Sequence, residues 1–222
     1  MVLASIEELH FTPKADASAR ARKDFERIGV LTPFFTAPSF VQRLGGIAAA
    51  LDKTKYELII YSVESLAQLE GYLTDIITRE ATGFIREHRS RPFLLYLSHY
   101  AVHTPLEGPE PLVRKYEEKL QTDHSQKSAV YGAMIENLDT NIGRVLDAVD
   151  RSDVADHTIV IFTSDNGGTT RATDNSPLRE GKGYLYEGGI RVPMIVKWPG
   201  VTRPGTEVDV PVISHDVFPT VL

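Results

Sequence analysis

The first part of the chain alternates apolar runs with an amphipathic stretch in the order strand, helix, strand. The continuous apolar run IGVLTPFF (28–35) is typical of a buried strand, and YELIIYSV (56–63) has the same character. Between them, residues 39–51 place apolar side chains at helical spacing, with Ser39 as a candidate N-cap. Short loops between strand, helix and strand predict a βαβ unit with parallel strands.

The same alternation continues through the rest of the chain. Residues 65–88 and 112–151 carry apolar residues at helical spacing, including Ile135 and Leu146 in the second stretch. We also predict strands at 92–100, 158–165 and 193–200, a Pro-rich loop at 103–111, a Gly-rich loop at 167–191 and a helix start at 216–222. The expected fold is α/β, a mostly parallel sheet flanked by helices.

Composition narrows the functional classes. The chain has 222 residues and a net charge of −6, which argues against a general nucleic-acid binder. It contains no cysteine, which excludes disulfides, thiolate zinc sites and a cysteine nucleophile. No stretch approaches the roughly 18 apolar residues of a membrane helix, and Met1–His10 lacks a secretory pattern. As it stands, we expect the chain to be cytoplasmic and not to bind membranes.

Two predicted strands are followed by residues that could bind a ligand or take part in catalysis. Ligands of open parallel sheets bind beyond the carboxyl ends of strands. One strand is followed by His99 and His103, and another by Asp165 and Asn166. A carboxylate beside an amide carbonyl suits Ca²⁺ or Mg²⁺ rather than zinc. The competing interpretations are a tight Asn-Gly turn at 166–167, an ordinary loop histidine at 103 and, preferred for His99, a structural role.

The Gly-rich loop contains a candidate anion-binding group. Lys182 lies between Gly181 and Gly183, so its ammonium can reach an anion with little steric hindrance. Lysine binds phosphate or sulfate oxygens as a compact charge. The alternative is a solvated loop lysine. The residues that we expect only to shape the loop before the next strand are Glu187, Gly188, Gly189 and Arg191.

Five ordered segments carry a family resemblance. They are PFLLYLSHYAVHTPL (92–106), MIENLDTNIGRVLDAV (134–149), IVIFTSDNGG (159–168), LREGKGYLYEGGIRVPMIVKWPG (178–200) and SHDVFPT (214–220). Together they resemble the second half of the sulfatase catalytic domain, over about residues 72–222. The resemblance implies an alkaline-phosphatase-like fold and a sulfuric ester hydrolase, acting on a sulfate-ester small molecule or glycan.

The resemblance also implies roles for individual residues. Asp165 and Asn166 resemble the family's late pair of calcium ligands. His103 resembles the histidine that contacts the sulfate ester and helps the leaving group, and Lys182 resembles the lysine that binds a sulfate oxygen. A cation and an ammonium would stabilise the charge on the oxygens of the transition state. A metal-dependent phosphatase or phosphodiesterase of the same superfamily shares this logic and remains an alternative.

Other family features do not occur in this sequence. The family has an early Asp-Asp pair, a further Lys and His, and a C/S-x-P-S-R motif whose first residue becomes formylglycine. The nearest string, Thr36 to Phe40 (TAPSF), begins with threonine and ends with phenylalanine, and we interpret it as coincidence. With no nucleophile, we expect little or no turnover. With two ligands for a cation that prefers six to eight, we expect weak Ca²⁺ binding.

The N-terminal third carries a second resemblance. VLASIEELHFTP (2–13), ERIGVLTPFFTAPSFVQRLGGIAAAL (26–51) and YELIIYSVES (56–65) resemble the lac repressor family of transcription regulators. In that family, residues 2–10 would be the last helix of a DNA-binding head, followed by the first βαβ unit of the sugar-binding domain. The recognition helix would lie before Met1, so we expect no specific DNA binding.

Two segments, 1–71 and 72–222, follow from the two resemblances. The patterns exchange near residues 66–75, through a natural fusion, an engineered chimera or an assembly error. The strand at 28–35 would then occupy the place of a sulfatase strand. Because half of each parent core would be lost, we expect unpaired strand edges and exposed apolar faces. A fragment of a transcription regulator or sugar-binding module is the alternative function from a different class.

Overall fold

The computed structural model of the chain describes residues 26–32, 38–51, 56–62, 71–121 and 127–221. Two expectations lie wholly or partly outside these residues: the helix expected at 2–10, and residues 66–70 of the proposed junction at 66–75. The described chain belongs to two compact units, 1–124 with 128–153 and 125–127 with 154–222. None of the described helices is both long and apolar enough to cross a lipid bilayer.

A parallel three-stranded sheet organises the first unit. Strand β1 (Glu26–Thr32), helix α1 (Pro38–Leu51) and strand β2 (Tyr56–Ser62) follow one another, and β1 pairs in parallel with β2. This is the predicted βαβ unit. After helix α2 (Leu73–His88), strand β3 (Phe93–Leu97) pairs in parallel with the other edge of β1, giving the order β2-β1-β3.

Helix α2 covers this sheet because its apolar residues recur at intervals of three and four. Ile77, Ala81 and Phe84 are buried on one face. The Phe84 ring lies against β1, where a Cβ on Gly29 would come within 2.9 Å of it. Gly29 therefore permits a close contact between helix and strand that a larger residue would obstruct.

The helical spacing at 112–151 predicts one long helix, and this prediction is wrong because two helices are present. Helix α3 (Glu110–Leu120) begins inside the expected Pro-rich loop, and helix α4 (Ala129–Arg151) follows after residues 122–126, which are not described. The Ser128 hydroxyl caps α4 by accepting the Tyr131 N–H at 3.2 Å. The apolar repeat identified α4 but not its buried face, because Ile135 and Leu146 are exposed.

Polar residues, of which Asn141 is buried, connect α4 to α2. Asn141 is fully buried, and its amide donates to the Asp75 carboxylate at 2.9 Å. Arg144 donates to the same carboxylate oxygen at 2.9 Å. The sequence pattern did not indicate a polar contact here, because only apolar positions contribute to the periodicity.

One face of β3 exposes large apolar side chains. Leu94 and Tyr96, two residues apart and therefore on the same face of the strand, are 54% and 59% exposed. Among the described strands, β3 pairs only with β1. The strand therefore has an exposed apolar face and, among the described strands, one edge without a partner strand.

The second unit contains an antiparallel strand pair. A single 3-10 turn (Ala155–His157) precedes strand β4 (Val160–Thr163). A Gly-rich loop then leads through the short helix α5 (Glu187–Ile190) to strand β5 (Met194–Lys197), and helix α6 (Ser214–Val221) ends the described chain. Strands β4 and β5 run in opposite directions, unlike the expected parallel arrangement.

The loop between β4 and β5 explains their direction. Its early residue Gly167 donates its N–H to the Gly189 carbonyl at 3.0 Å, near the loop's end. The chain therefore returns to the end of β4 before β5 begins, and Thr163 pairs with Met194. Strands joined by a loop that closes on itself in this way must be antiparallel.

Candidate functional site

Asp165 and Asn166 lie immediately beyond the carboxyl end of β4, as the sequence predicts. The Ser164 hydroxyl donates to the Asn166 carbonyl at 2.9 Å and supports a tight turn. Within the turn, the Asn166 side-chain amide donates to the Asp165 carboxylate. The turn interpretation and the ligand interpretation are therefore compatible, since the turn places a carboxylate and an amide side by side. Asp165 is exposed to solvent.

Glycines hold the loop together by close backbone packing. A Cβ on Gly167 would overlap the Gly188 carbonyl oxygen, and a Cβ on Gly188 would overlap the carbonyl oxygen of Glu180. The Gly188 N–H donates to the Arg179 carbonyl at 2.8 Å. These contacts require glycine, because any side chain would force the neighbouring segments of the loop apart.

Lys182 is held close to the Asp165–Asn166 turn. Its backbone N–H donates to the Gly168 carbonyl at 3.0 Å, two residues beyond Asn166. A Cβ on Gly181 would overlap the same oxygen, and Gly183 has a positive φ of 93°. The two flanking glycines thus allow both the close approach and the turn. The structure places Lys182 in the same loop as the candidate cation ligands, with its side chain exposed.

His103 lies in the first unit, in the loop after β3. Its Nδ1 is 2.9 Å from the Thr104 carbonyl oxygen and 3.0 Å from the Tyr100 hydroxyl. Because a carbonyl can only accept, Nδ1 carries the proton in the neutral ring and Nε2 is its basic nitrogen. The Tyr100 hydroxyl also donates to the Thr104 carbonyl at 2.6 Å. Sequence reasoning missed Tyr100 and Thr104, which orient the imidazole.

His99, which we expected to be structural, has two buried ring nitrogens. Neither of its ring nitrogens has a hydrogen-bond partner within the described part of the chain. Burial lowers the pKa of His99 to about 4, so the ring is neutral at physiological pH. A neutral ring agrees with a structural role, although two unpartnered buried nitrogens cost free energy.

The chemistry of the Asp165–Asn166 turn suits a hard cation, but these two side chains cannot form a complete ligand shell. Ca²⁺ takes six to eight oxygens and Mg²⁺ takes six, several of them from water. Across the described ranges, no group of three or more His, Cys, Asp and Glu residues could hold a metal ion. A cation here would require further ligands, and Asn166 would have to turn its carbonyl oxygen toward it.

Two further contacts support the end of the loop. The Arg179 guanidinium stacks on the Tyr186 ring at 3.7 Å from its centroid. Arg191 forms an ion pair of 3.3 Å with Glu187 across one turn of α5. Gly188 and Gly189 are buried. Glu187, Gly188, Gly189 and Arg191 therefore shape the loop, as the sequence predicts.

Known proteins share this chain's sequence over most of its length. The sulfatase from Formosa agariphila is 40% identical over 166 residues, covering 68% of this chain and 30% of its own. Human steryl-sulfatase is 35% identical, covering 67% of this chain and 25% of its own. Human arylsulfatase D is 33% identical over 217 residues, covering 92% of this chain and 33% of its own. The chain thus spans a third or less of these relatives.

A solved structure shows the same fold. The crystal structure of Ps i-CgsB in complex with k-i-k-neocarrahexaose matches 90% of this chain and 50% of its own, with a TM-score of 0.64 and 24% sequence identity. The likeness shows an α/β, alkaline-phosphatase-like architecture, as the sequence predicts.

A family model covers both the parallel sheet and the glycine-packed loop. The model described as Sulfatase matches residues 27–222, so it includes β1, α1 and β2 as well as Asp165, Asn166 and Lys182. The match begins well before residue 72, where the resemblance read from the sequence began. Because this match covers most of its length, the chain belongs to the sulfatase family.

Proposed function

We propose that the chain contributes part of a sulfatase-type catalytic domain that binds sulfate esters. Asp165 and Asn166 are the proposed cation ligands, and Lys182 is the proposed contact to a sulfate oxygen. The observation that supports this proposal is the 3.0 Å hydrogen bond from the Lys182 N–H to Gly168. It joins the backbone of the cationic residue to the turn that presents the carboxylate.

The chemistry of a sulfate ester fits these residues. Hydrolysis develops negative charge on the sulfate oxygens and on the leaving oxygen. A bound Ca²⁺ or Mg²⁺ would neutralise part of that charge. Lys182 adds a compact positive charge on a loop held in place by its glycines.

His103 is proposed separately as the residue that contacts the ester. The Thr104 carbonyl holds the Nδ1 proton in place, so the opposite nitrogen, Nε2, is the atom that would hold or deliver a proton to the leaving oxygen. This role follows from the resemblance at 92–106.

We propose that these 222 residues alone turn over little or no substrate. They include no cysteine, so formylglycine cannot arise here by the cysteine route. Weak cation binding follows from a site with two ligands. The proposed substrate class is a sulfate-ester small molecule or glycan.

A second and weaker proposal is that residues 2–65 derive from a transcription regulator of the lac repressor family and that the chain is a chimera. The sulfatase model overlaps this segment from residue 27 onward, which favours a sulfatase origin for β1, α1 and β2. Residues 2–10, whose sequence resembles the last helix of a DNA-binding head, lie outside the described residues.

Titrating the chain with sodium sulfate and with CaCl₂ tests the proposed site. Lys182→Ala is expected to weaken sulfate binding about tenfold, because it removes the charge that contacts the anion. Asp165→Ala is expected to weaken Ca²⁺ binding by at least a similar factor. Lys197→Ala, which removes an exposed lysine on β5, is the matched control and leaves both affinities unchanged. Equal losses in Lys182→Ala and Lys197→Ala would contradict the proposal.

Activity assays separate the alternatives. Little hydrolysis of an aryl sulfate is expected with Ca²⁺, Mg²⁺ or Mn²⁺. Clear metal-dependent turnover that Asp165→Ala abolishes would show that the argument from missing residues is wrong. Preferential hydrolysis of an aryl phosphate would favour the phosphatase alternative. Retarded migration of an operator-like duplex at physiological salt would favour the regulator.

A further inference from the structure

The side-chain amide of Asn175 lies where separate parts of the Gly-rich loop meet. Its Nδ2 donates a hydrogen bond to the Gly168 carbonyl oxygen at 2.9 Å. The same oxygen accepts the Lys182 N–H at 3.0 Å. Both ends of segment 175–182 are therefore attached to one atom, two residues beyond Asn166.

Packing around Asn175 restricts this arrangement. A Cβ on Gly181 would lie 2.5 Å from the Asn175 Nδ2, so the amide rests directly against the backbone that precedes Lys182. The Asn175 backbone carbonyl also accepts the Leu178 N–H at 2.9 Å and closes a turn. Because Asn175 is half-buried, water competes only partly for its hydrogen bond.

We propose that Asn175 is a positioning residue that couples the Asp165–Asn166 turn to Lys182, so that one oxyanion can contact cation and ammonium together. The proposed function supplies the ligands on which this inference rests. The side chain must donate, because Gly168 offers a carbonyl. Aspartate has nearly the same shape but presents only oxygens, so it would repel that carbonyl and release the Lys182 segment.

The coupling is measurable as a change in affinity. Sulfate binding to the full chain is titrated by NMR with and without saturating CaCl₂ at constant ionic strength. In the wild type, Ca²⁺ is expected to tighten sulfate binding about fivefold or more. In Asn175→Asp, that enhancement falls below about twofold while Ca²⁺ affinity is retained. A merely structural role would weaken both affinities and leave their coupling unchanged.

Asp174→Ala provides the matched control. It removes the hydrogen bonds from the Ser176 N–H and hydroxyl to the Asp174 carboxylate, at 2.9 and 2.7 Å, in the same part of the loop. It leaves the contacts to Gly168 in place, so the wild-type coupling should persist. Retained coupling in Asn175→Asp, or an equal loss in Asp174→Ala, overturns the proposal.

A second readout is independent of ligand binding. Hydrogen exchange at the Lys182 amide is expected to accelerate about tenfold in Asn175→Asp and to stay near the wild-type rate in Asp174→Ala. If the wild type binds neither Ca²⁺ nor sulfate, the proposed function fails, and the exchange rate then decides only whether the Asn175 amide holds the Lys182 backbone in place. Unchanged exchange in Asn175→Asp overturns the positioning role.

Discussion

Gly167→Ala is expected to destabilise the second unit by about 3 kcal/mol, the upper end of the usual cost of overpacking. The added Cβ would overlap the Gly188 carbonyl oxygen, which belongs to backbone and cannot rotate away. The loop would have to open, breaking the hydrogen bond from the Gly167 N–H to Gly189. Trp198, the single tryptophan, belongs to this unit, so its fluorescence during urea unfolding reports the change directly.

Gly143→Ala, in the first unit, is a control for adding a methyl group to a glycine where there is room for it. Gly143 lies within α4, and nothing lies within 4 Å of a Cβ added there. Because alanine is the better helix former, this variant should not lower stability. An unchanged Trp198 midpoint in Gly167→Ala would contradict the close packing of the loop.

The free energy of unfolding of the first unit is expected to fall by about 3 kcal/mol as the pH drops from 6.5 toward 4. Burial lowers the pKa of His99 from 6.5 to about 4, so the folded state favours the neutral ring. Above pH 6.5 the ring is neutral in both states, and its contribution is fully present. Between 6.5 and about 4, the unfolded state binds the proton first, and stability is lost.

His99→Leu separates this effect from the protonation of carboxylates. The variant should show a markedly flatter dependence of unfolding on pH over the same range, measured by circular dichroism in urea at each pH. It also removes two buried nitrogens that lack partners among the described residues. His157→Gln, at an exposed position, should retain the wild-type dependence. An equally steep dependence in His99→Leu would contradict the assignment to His99.

The strands and helices with strong patterns were predictable. The apolar runs at 28–35 and 56–63 predicted β1 and β2, and the spacing around Ile77 predicted α2. One break was overlooked, and one feature was not predictable by periodicity. Residues 121–128 (QTDHSQKS) contain no apolar residue, so the apolar spacing is interrupted where α3 and α4 separate, and the Ser128 cap begins α4. The antiparallel direction of β5 depends on how the loop closes, which periodicity does not report.

The candidate site divides in the same way. Residue type and family pattern identified Asp165, Asn166 and Lys182, and the structure places all three in one loop. Their assigned roles remain predictions. Asn175 escaped notice because it contacts Gly168, seven residues away, in a segment with no repeating pattern. Such a contact depends on the folded path of the loop, where glycine packing brings distant backbone atoms together.

We propose that a divalent cation bound at Asp165 and Asn166 lies beside Lys182. Mn²⁺ prefers the same hard oxygen ligands and broadens the NMR signals of nearby nuclei. Substoichiometric Mn²⁺ should therefore broaden the amide signals of Gly168 and Lys182 before others, and Asp165→Ala should abolish this effect. Asp156→Ala, which removes an exposed carboxylate from the same unit, should preserve it. Broadening that spares Lys182, or that persists there in Asp165→Ala, would contradict the claim.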